Sequence, residues 1–218
     1  MPISSTHLLF IISIIPVAVF AQSCLLLSGS FACPAFQQYY IDVEGLRAKN
    51  AWLSNATDVP SFDQALTQYI DSTDYYRIFW YDKLSCNAPS ASQVVPYARY
   101  AITKLCTELV QDSQFSLPCS FQHNMNPPPL CRETCDAYVD SLNLTSSMGE
   151  PCVANMATIQ RNQTLSDQRS DCGSWPGLNG TTDQGCIRGS LNEPSNCHGS
   201  FICGEIGNIF MDGFRMKK

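Results

Sequence analysis

A mainly α-helical, disulfide-rich fold is predicted for this chain on three observations. Twelve cysteines are present, and all lie after residue 21. Three segments, starting near Ser61, Pro96 and Pro129, place their apolar residues on one helical face. From about Pro151 onward, Gly, Ser, Asn, Asp and Pro dominate, so a helical body is expected to carry a loop-rich, cystine-stapled C-terminal tail.

The segment before the cysteines explains their redox state. Leu8-Leu9-Phe10-Ile11-Ile12 continues through Ile14-Ile15 to Val19-Phe20-Ala21. This apolar run is shorter than the ~18 residues a membrane span requires, and Pro16 interrupts it. Residues 1–21 therefore read as a secretory signal peptide cleaved after Ala21. Four Asn-x-Thr sequons, at Asn55, Asn143, Asn162 and Asn179, fit a glycosylated, secreted or extracellular protein. Oxidised cystines are the expected state in that compartment. Zinc binding is disfavoured, because no CxxC pair occurs and only His123 and His198 follow the predicted cleavage point. The net charge of −6, without a basic block, disfavours nucleic acid and electrostatic attachment to anionic lipid. No second long apolar run follows, so no membrane span is expected.

The elements are taken in chain order. Cys24 and Cys33 bracket a short apolar segment, expected to be extended and to continue past Pro34 to Ile41. The first helix is expected from Ser61, where Ser61-Phe-Asp-Gln64 reads as a capping box. Phe62, Ala65, Leu66, Tyr69 and Ile70 form its apolar face. Tyr75 to Tyr81 is too aromatic for a solvated loop and reads as a strand or a buried turn. A second helix is expected from Pro96 to Val110, with Tyr97, Ala101, Ile102, Leu105 and Leu109 on one stripe and Cys106 beside it. A third is expected from Pro129 to Leu142. There Cys131, Cys135, Tyr138, Val139 and Leu142 share a face, so each cysteine can staple a different neighbour. In the tail, Cys172, Cys186, Cys197 and Cys203 punctuate turns with little helix.

No catalytic constellation is found. His123 lies in a polar loop and His198 beside Cys197, both reading as surface residues. A Gly-x-Ser-x-Gly elbow and a Gly-rich phosphate loop are both absent from the sequence. Asp63, Asp71, Asp74, Glu108 and Asp136 read as helix-surface or capping groups. The chain is therefore expected to be no enzyme and to need no cofactor or metal. Phe79, Trp80 and Tyr81, with Tyr97 and Tyr100, supply apolar material beyond what three helices need, which makes them the candidate ligand contacts.

The cysteine order resembles the Frizzled-type cysteine-rich domain over residues 24–152. Cys24 and Cys33, then Cys86, Cys106 at the end of Tyr100-Ala-Ile-Thr-Lys-Leu-Cys106, and Cys119 follow its sequence of cysteines. The most specific stretch is Pro127-Pro-Pro-Leu-Cys131-Arg-Glu-Thr-Cys135-Asp136, with Cys152 available beyond it. The Cys86–Cys106 spacing is longer than the family's. The resemblance implies that Cys24 pairs with Cys119, Cys33 with Cys106 and Cys86 with Cys152, while Cys131 and Cys135 pair with tail cysteines. It also implies a small helical domain over residues 22–152; the composition beyond it sets apart a cysteine-containing tail over 153–203 and an unassigned end over 204–218. The function it implies is a non-catalytic recognition module for an extracellular lipid, a lipidated protein or a cell-surface partner. More distantly, the layout is similar to the extracellular cysteine-rich region of the fungal regulatory subunit of stretch-activated calcium channels. That relation implies an accessory channel subunit. A structural cell-surface or wall glycoprotein is the third expectation.

Overall fold

A computed structural model describes residues 23–88, 98–147, 152 and 158–194. The segment 1–21 expected to be a signal peptide, Pro96, Tyr97, Cys197, His198, Cys203 and the 204–218 end lie outside them.

Strand β1 (Cys24–Leu26) pairs antiparallel with β2 (Tyr40–Asp42), in the register Leu25 opposite Ile41. The chain between them is not extended throughout, as the sequence suggested. Pro34 sits at the start of a 3₁₀ turn, Pro34–Phe36, whose Phe36 is fully buried. A two-stranded ribbon is marginal alone. Helix α1 (Val43–Arg47), capped by Asp42, follows directly. Its Gly45 is needed for close approach, since a Cβ there would lie 2.3 Å from the Phe115 ring.

Helix α2 spans Val59–Ile70. It begins earlier than the sequence suggested because Asp58, not Ser61, is the N-cap. The Asp58 side chain accepts from Ser61 N (2.9 Å), and Ser61 Oγ accepts from Asp58 N (3.1 Å). Phe62, Leu66 and Ile70 are buried, as the periodicity predicted, but so is Asp63. Asp63 is not the surface group it resembled in sequence.

The aromatic stretch is helical rather than a strand or turn. A short α3 (Thr73–Tyr75), capped by Ser72, opens into a π-helical segment, Tyr76–Lys83. Its wider turn sends Tyr76, Phe79 and Trp80 into the core while Ile78 and Tyr81 face outward.

Helix α4 (Ala101–Val110) is the central helix, buried on nearly every side. It starts at Ala101 because Tyr100 adopts a left-handed backbone (φ 63°). Helix α5 (Ser116–Gln122) covers the ribbon: Ser116 Oγ accepts from Asp42 N and Ser120 Oγ from Tyr40 N, each at 3.3 Å. These serines satisfy edge amides that the two strands cannot.

Helix α6 (Arg132–Ser147) begins three residues after the predicted start and runs longer. Residues before it are drawn into bridges, Leu130 with Ile187 and Cys131 with Gly180. Gly180 permits this approach: a Cβ there would meet Cys186 Cβ at 2.6 Å and Leu130 O at 3.0 Å.

The tail is not loop-rich throughout. Helix α7 occupies Thr158–Ser174 and packs along α6. Its periodicity is hidden because Arg161, Leu165 and Cys172 form the buried stripe, and only Leu165 reads as apolar in the usual sense. Arg161 buries its stem and donates to Leu84 O (3.1 Å) and Ser85 O (3.4 Å), closing the end of the π-helical segment. A short α8 (Gly189–Asn192) follows.

Five disulfides are present among the described residues: Cys24–Cys119, Cys33–Cys106, Cys86–Cys152, Cys131–Cys186 and Cys135–Cys172. The fold is mainly helical and disulfide-rich. Around Trp80, Tyr76, Phe36 and Phe62, one continuous apolar core joins both ends of the described chain.

Candidate functional site: an aromatic groove beside α4

The 3₁₀ turn Ala51–Leu53, the end of α2, α3 with its π-helical extension, α4 and α6 converge on one depression of about 650 Å³. Its aromatic side chains form a connected series. Trp52 stacks on Tyr69 with ring centroids 4.9 Å apart, and Tyr69 meets the edge of Tyr75 at 5.5 Å. Tyr75 in turn stacks with Phe79 at 5.6 Å. Leu105 and the buried Tyr138 complete the apolar lining.

One cation sits within this surface. Lys104 is only 8% exposed, with Nζ 5.3 Å from the centroid of the Tyr138 ring and 2.5 Å from Glu108 Oε1. Lys49, Arg77 and Lys83 stand at the rim, with Asp74. Burial pushes the Tyr138 hydroxyl well above its ordinary value, and the fields of Tyr75 and Glu108 add to the shift. Burial also raises Tyr69, followed by Glu108 and Asp74. Both phenols therefore stay protonated at neutral pH, each with an O–H able to donate a hydrogen bond. The depression therefore joins an aromatic wall to an ion pair, Lys104 with Glu108. A second depression, of about 610 Å³, lies between the end of α4 and Trp175 and is lined mainly by polar side chains.

The five aromatics singled out in sequence separate. Phe79 lines the groove. Trp80 is fully buried behind it, and Tyr81 is 46% exposed outside it. Tyr100 is packed against Gly189 and carries the Arg99 guanidinium over its ring at 4.6 Å. Tyr97 lies outside the described residues. Sequence reasoning missed Trp52, Tyr69, Tyr75, Tyr138 and Lys104 as groove residues. Tyr69 and Tyr138 were recognisable only as members of helical apolar faces. Lys104, a lone cation on the stripe between Ala101 and Leu105, was the available signal.

Asn55, Asn143, Asn162 and Asn179 are all exposed. His123 stacks on Tyr40 with centroids 3.9 Å apart, near the ribbon rather than the groove. Among the described residues, no cluster of three His, Cys, Asp or Glu side chains is placed to hold a metal ion. None of the described helices is long and apolar enough to cross a membrane. The disulfides fit an extracellular, oxidising environment. Compared with protein-family models, with curated proteins and with solved structures, the chain has no match.

Proposed function

We propose that this chain is a secreted, non-catalytic recognition module with a Frizzled-like cysteine-rich domain. It takes an extracellular lipid, a lipidated protein or an apolar tip of a cell-surface partner into the aromatic groove. The observation that carries this reading is the groove itself: a connected aromatic lining with one nearly buried ammonium. Its volume lies within the ~300–1,000 Å³ range of small-ligand sites. An acyl or sterol body would pack on Trp52, Tyr69, Tyr75 and Phe79. A polar end would meet the Lys104–Glu108 pair and the protonated Tyr138. The signal peptide and the sequons support secretion, and the cysteine order supports the family reading.

Native mass spectrometry of the glycosylated protein against fatty-acid and sterol panels tests the lipid branch. One bound lipid per chain is expected, with binding weakened about tenfold or more by Tyr75→Ala, a loss of at least ~1.4 kcal/mol. Absence of any retained or added lipid ends that branch. The accessory-subunit reading rests on the more distant resemblance, and co-purification with a large membrane protein distinguishes it.

A further inference from the structure

We propose that the Asn55-linked glycan does not project freely into solvent, but folds its first N-acetylglucosamine residue onto the Trp52–Tyr69 stack. This rests on the secretory reading above, because only an ER-routed chain is modified there.

Another cleft, of about 410 Å³, adjoins the groove, separated from it by the Trp52–Tyr69 pair, which lines both. Asn55 itself forms part of its wall. The two rings are nearly parallel, at 6°, and both are only half-buried. Both rings border the cleft, and an aromatic surface of this kind is one on which the C–H face of a sugar ring packs. Around it stand polar side chains. Gln64 and Gln68 are exposed one turn apart on α2, and Ser72 and Asp74 follow at its end. Amide, hydroxyl and carboxylate groups beside an aromatic platform match the hydroxyls and acetamide of an amino sugar.

The loop carrying Asn55 is held in place. Leu53 and Ala56 on either side of it are fully buried. The Arg47 guanidinium donates to Leu53 O (3.2 Å) and to Ala56 O (2.5 Å). Trp52, three residues before Asn55, lies in the 3₁₀ turn that leads into this loop. A sugar attached to Asn55 is thus tethered beside its platform, and the contact is intramolecular. Attachment follows ordinary glycosyl transfer from a lipid-diphosphate oligosaccharide. The Asn55 amide nitrogen loses one proton and bonds to the anomeric carbon, while the carbon–oxygen bond to the diphosphate breaks.

The experiment uses the full chain, secreted from a eukaryotic host, with glycopeptide mass spectrometry at all four sequons. Endoglycosidase trimming to a single N-acetylglucosamine is expected to leave the thermal midpoint unchanged. Complete loss of the Asn55 glycan, in Asn55→Gln or Thr57→Ala, is expected to lower it by about 2–4 °C. In isotope-labelled glycoprotein, the acetamide methyl of the Asn55-linked sugar is expected to show a ring-current shift. Trp52→Leu abolishes that shift, and Trp52→Phe retains part of it. An occupied Asn55 with unshifted methyl resonance, or a shift indifferent to Trp52→Leu, overturns the proposal. An empty Asn55 beside occupied Asn143, Asn162 or Asn179 overturns it too and leaves the secretory reading standing. Four empty sequons overturn both.

Discussion

Two distant segments are each fastened to the helical body by one buried carboxylate, and they are fastened differently. In the N-terminal loop, Ser30 Oγ donates to Asp63 Oδ1 (2.5 Å). Phe31 N donates to Oδ2 (2.8 Å) and Ala32 N to Oδ1 (3.4 Å). Both oxygens of the α2 carboxylate are engaged. In the C-terminal limb, Glu193 receives Thr103 N (2.8 Å) and Thr103 Oγ1 (2.5 Å) on Oε2 alone. Its Oε1 is buried and unpartnered among the described residues. The two fastenings meet at Ala32, whose carbonyl accepts from Asn192 Nδ2 (3.1 Å) beside the Cys33–Cys106 bridge.

The number of donors decides what burial costs. A carboxylate with both oxygens hydrogen-bonded recovers much of its lost hydration, whereas one with a bare oxygen does not. Glu193 shows the consequence: burial raises its carboxyl above the ordinary 4.5, outweighing the Thr103 hydrogen bonds that lower it. Its position still has a use. Tyr100 offers α4 no side-chain cap, so Glu193 supplies one from far along the chain.

Removing the better-satisfied carboxylate gives the largest effect. Asp63→Ala leaves a buried hydroxyl and two amides without their acceptor, and roughly 3–5 kcal/mol of stability is expected to be lost. Asp63→Asn, which keeps one acceptor, should fall between it and wild type in denaturant titrations. An Asp63→Ala loss below that of any Glu193 variant would break the comparison.

Next comes the limb's covalent hold. Cys135→Ala with Cys172→Ala is expected to cost ~2–4 kcal/mol. Faster amide exchange should concentrate in α7 and spare the β1–β2 ribbon. Uniform acceleration in both would show that the limb has no separate stability.

Glu193→Gln tests the bare oxygen through pH. The folded state holds the Glu193 proton more tightly than the unfolded chain does. Stability from this group is therefore complete below the ordinary value of 4.5 and declines as pH rises toward the folded value. The amide variant keeps an acceptor for Thr103 but cannot ionise. Its midpoint should match wild type near pH 4 and exceed it increasingly toward neutrality. A difference that does not vary with pH counts against the assignment.

The smallest effect belongs to the surface between α6 and α7. Arg169 lies 3.5 Å from Asp136 and also pairs with Asp140, all of them solvent-accessible. Arg169→Ala is expected to change stability by at most ~1 kcal/mol, less in high salt. A loss comparable to that of the Cys135–Cys172 bridge would mean that charge, not the bridge, holds the limb.

Much of this frame was readable from periodicity, and the failures have physical causes. The apolar faces of α2, α4 and α6 were visible because each repeats Leu, Ile, Val or aromatic residues at helical spacing. Their starts were not, because each is set by a neighbour: Asp58 for α2, the left-handed Tyr100 for α4, and the bridges to Gly180 and Ile187 for α6. Helix α7 was missed because an arginine stem and a cystine stand in its buried stripe. The groove was scarcely legible. Phe79 was named, but Trp52, Tyr69, Tyr75 and Tyr138 come from separate elements.

The sequence by itself determined the helical class, the apolar faces and the cysteine order, since all three are written in local spacing. The tertiary structure alone decided which aromatics are core and which line a surface. It also decided that Asp63, part of an apparent capping motif, is buried under a loop more than thirty residues away. Periodicity assigns a residue to a face of its own helix. What covers that face depends on contacts between segments far apart in the chain, and those contacts exist only once the chain has folded.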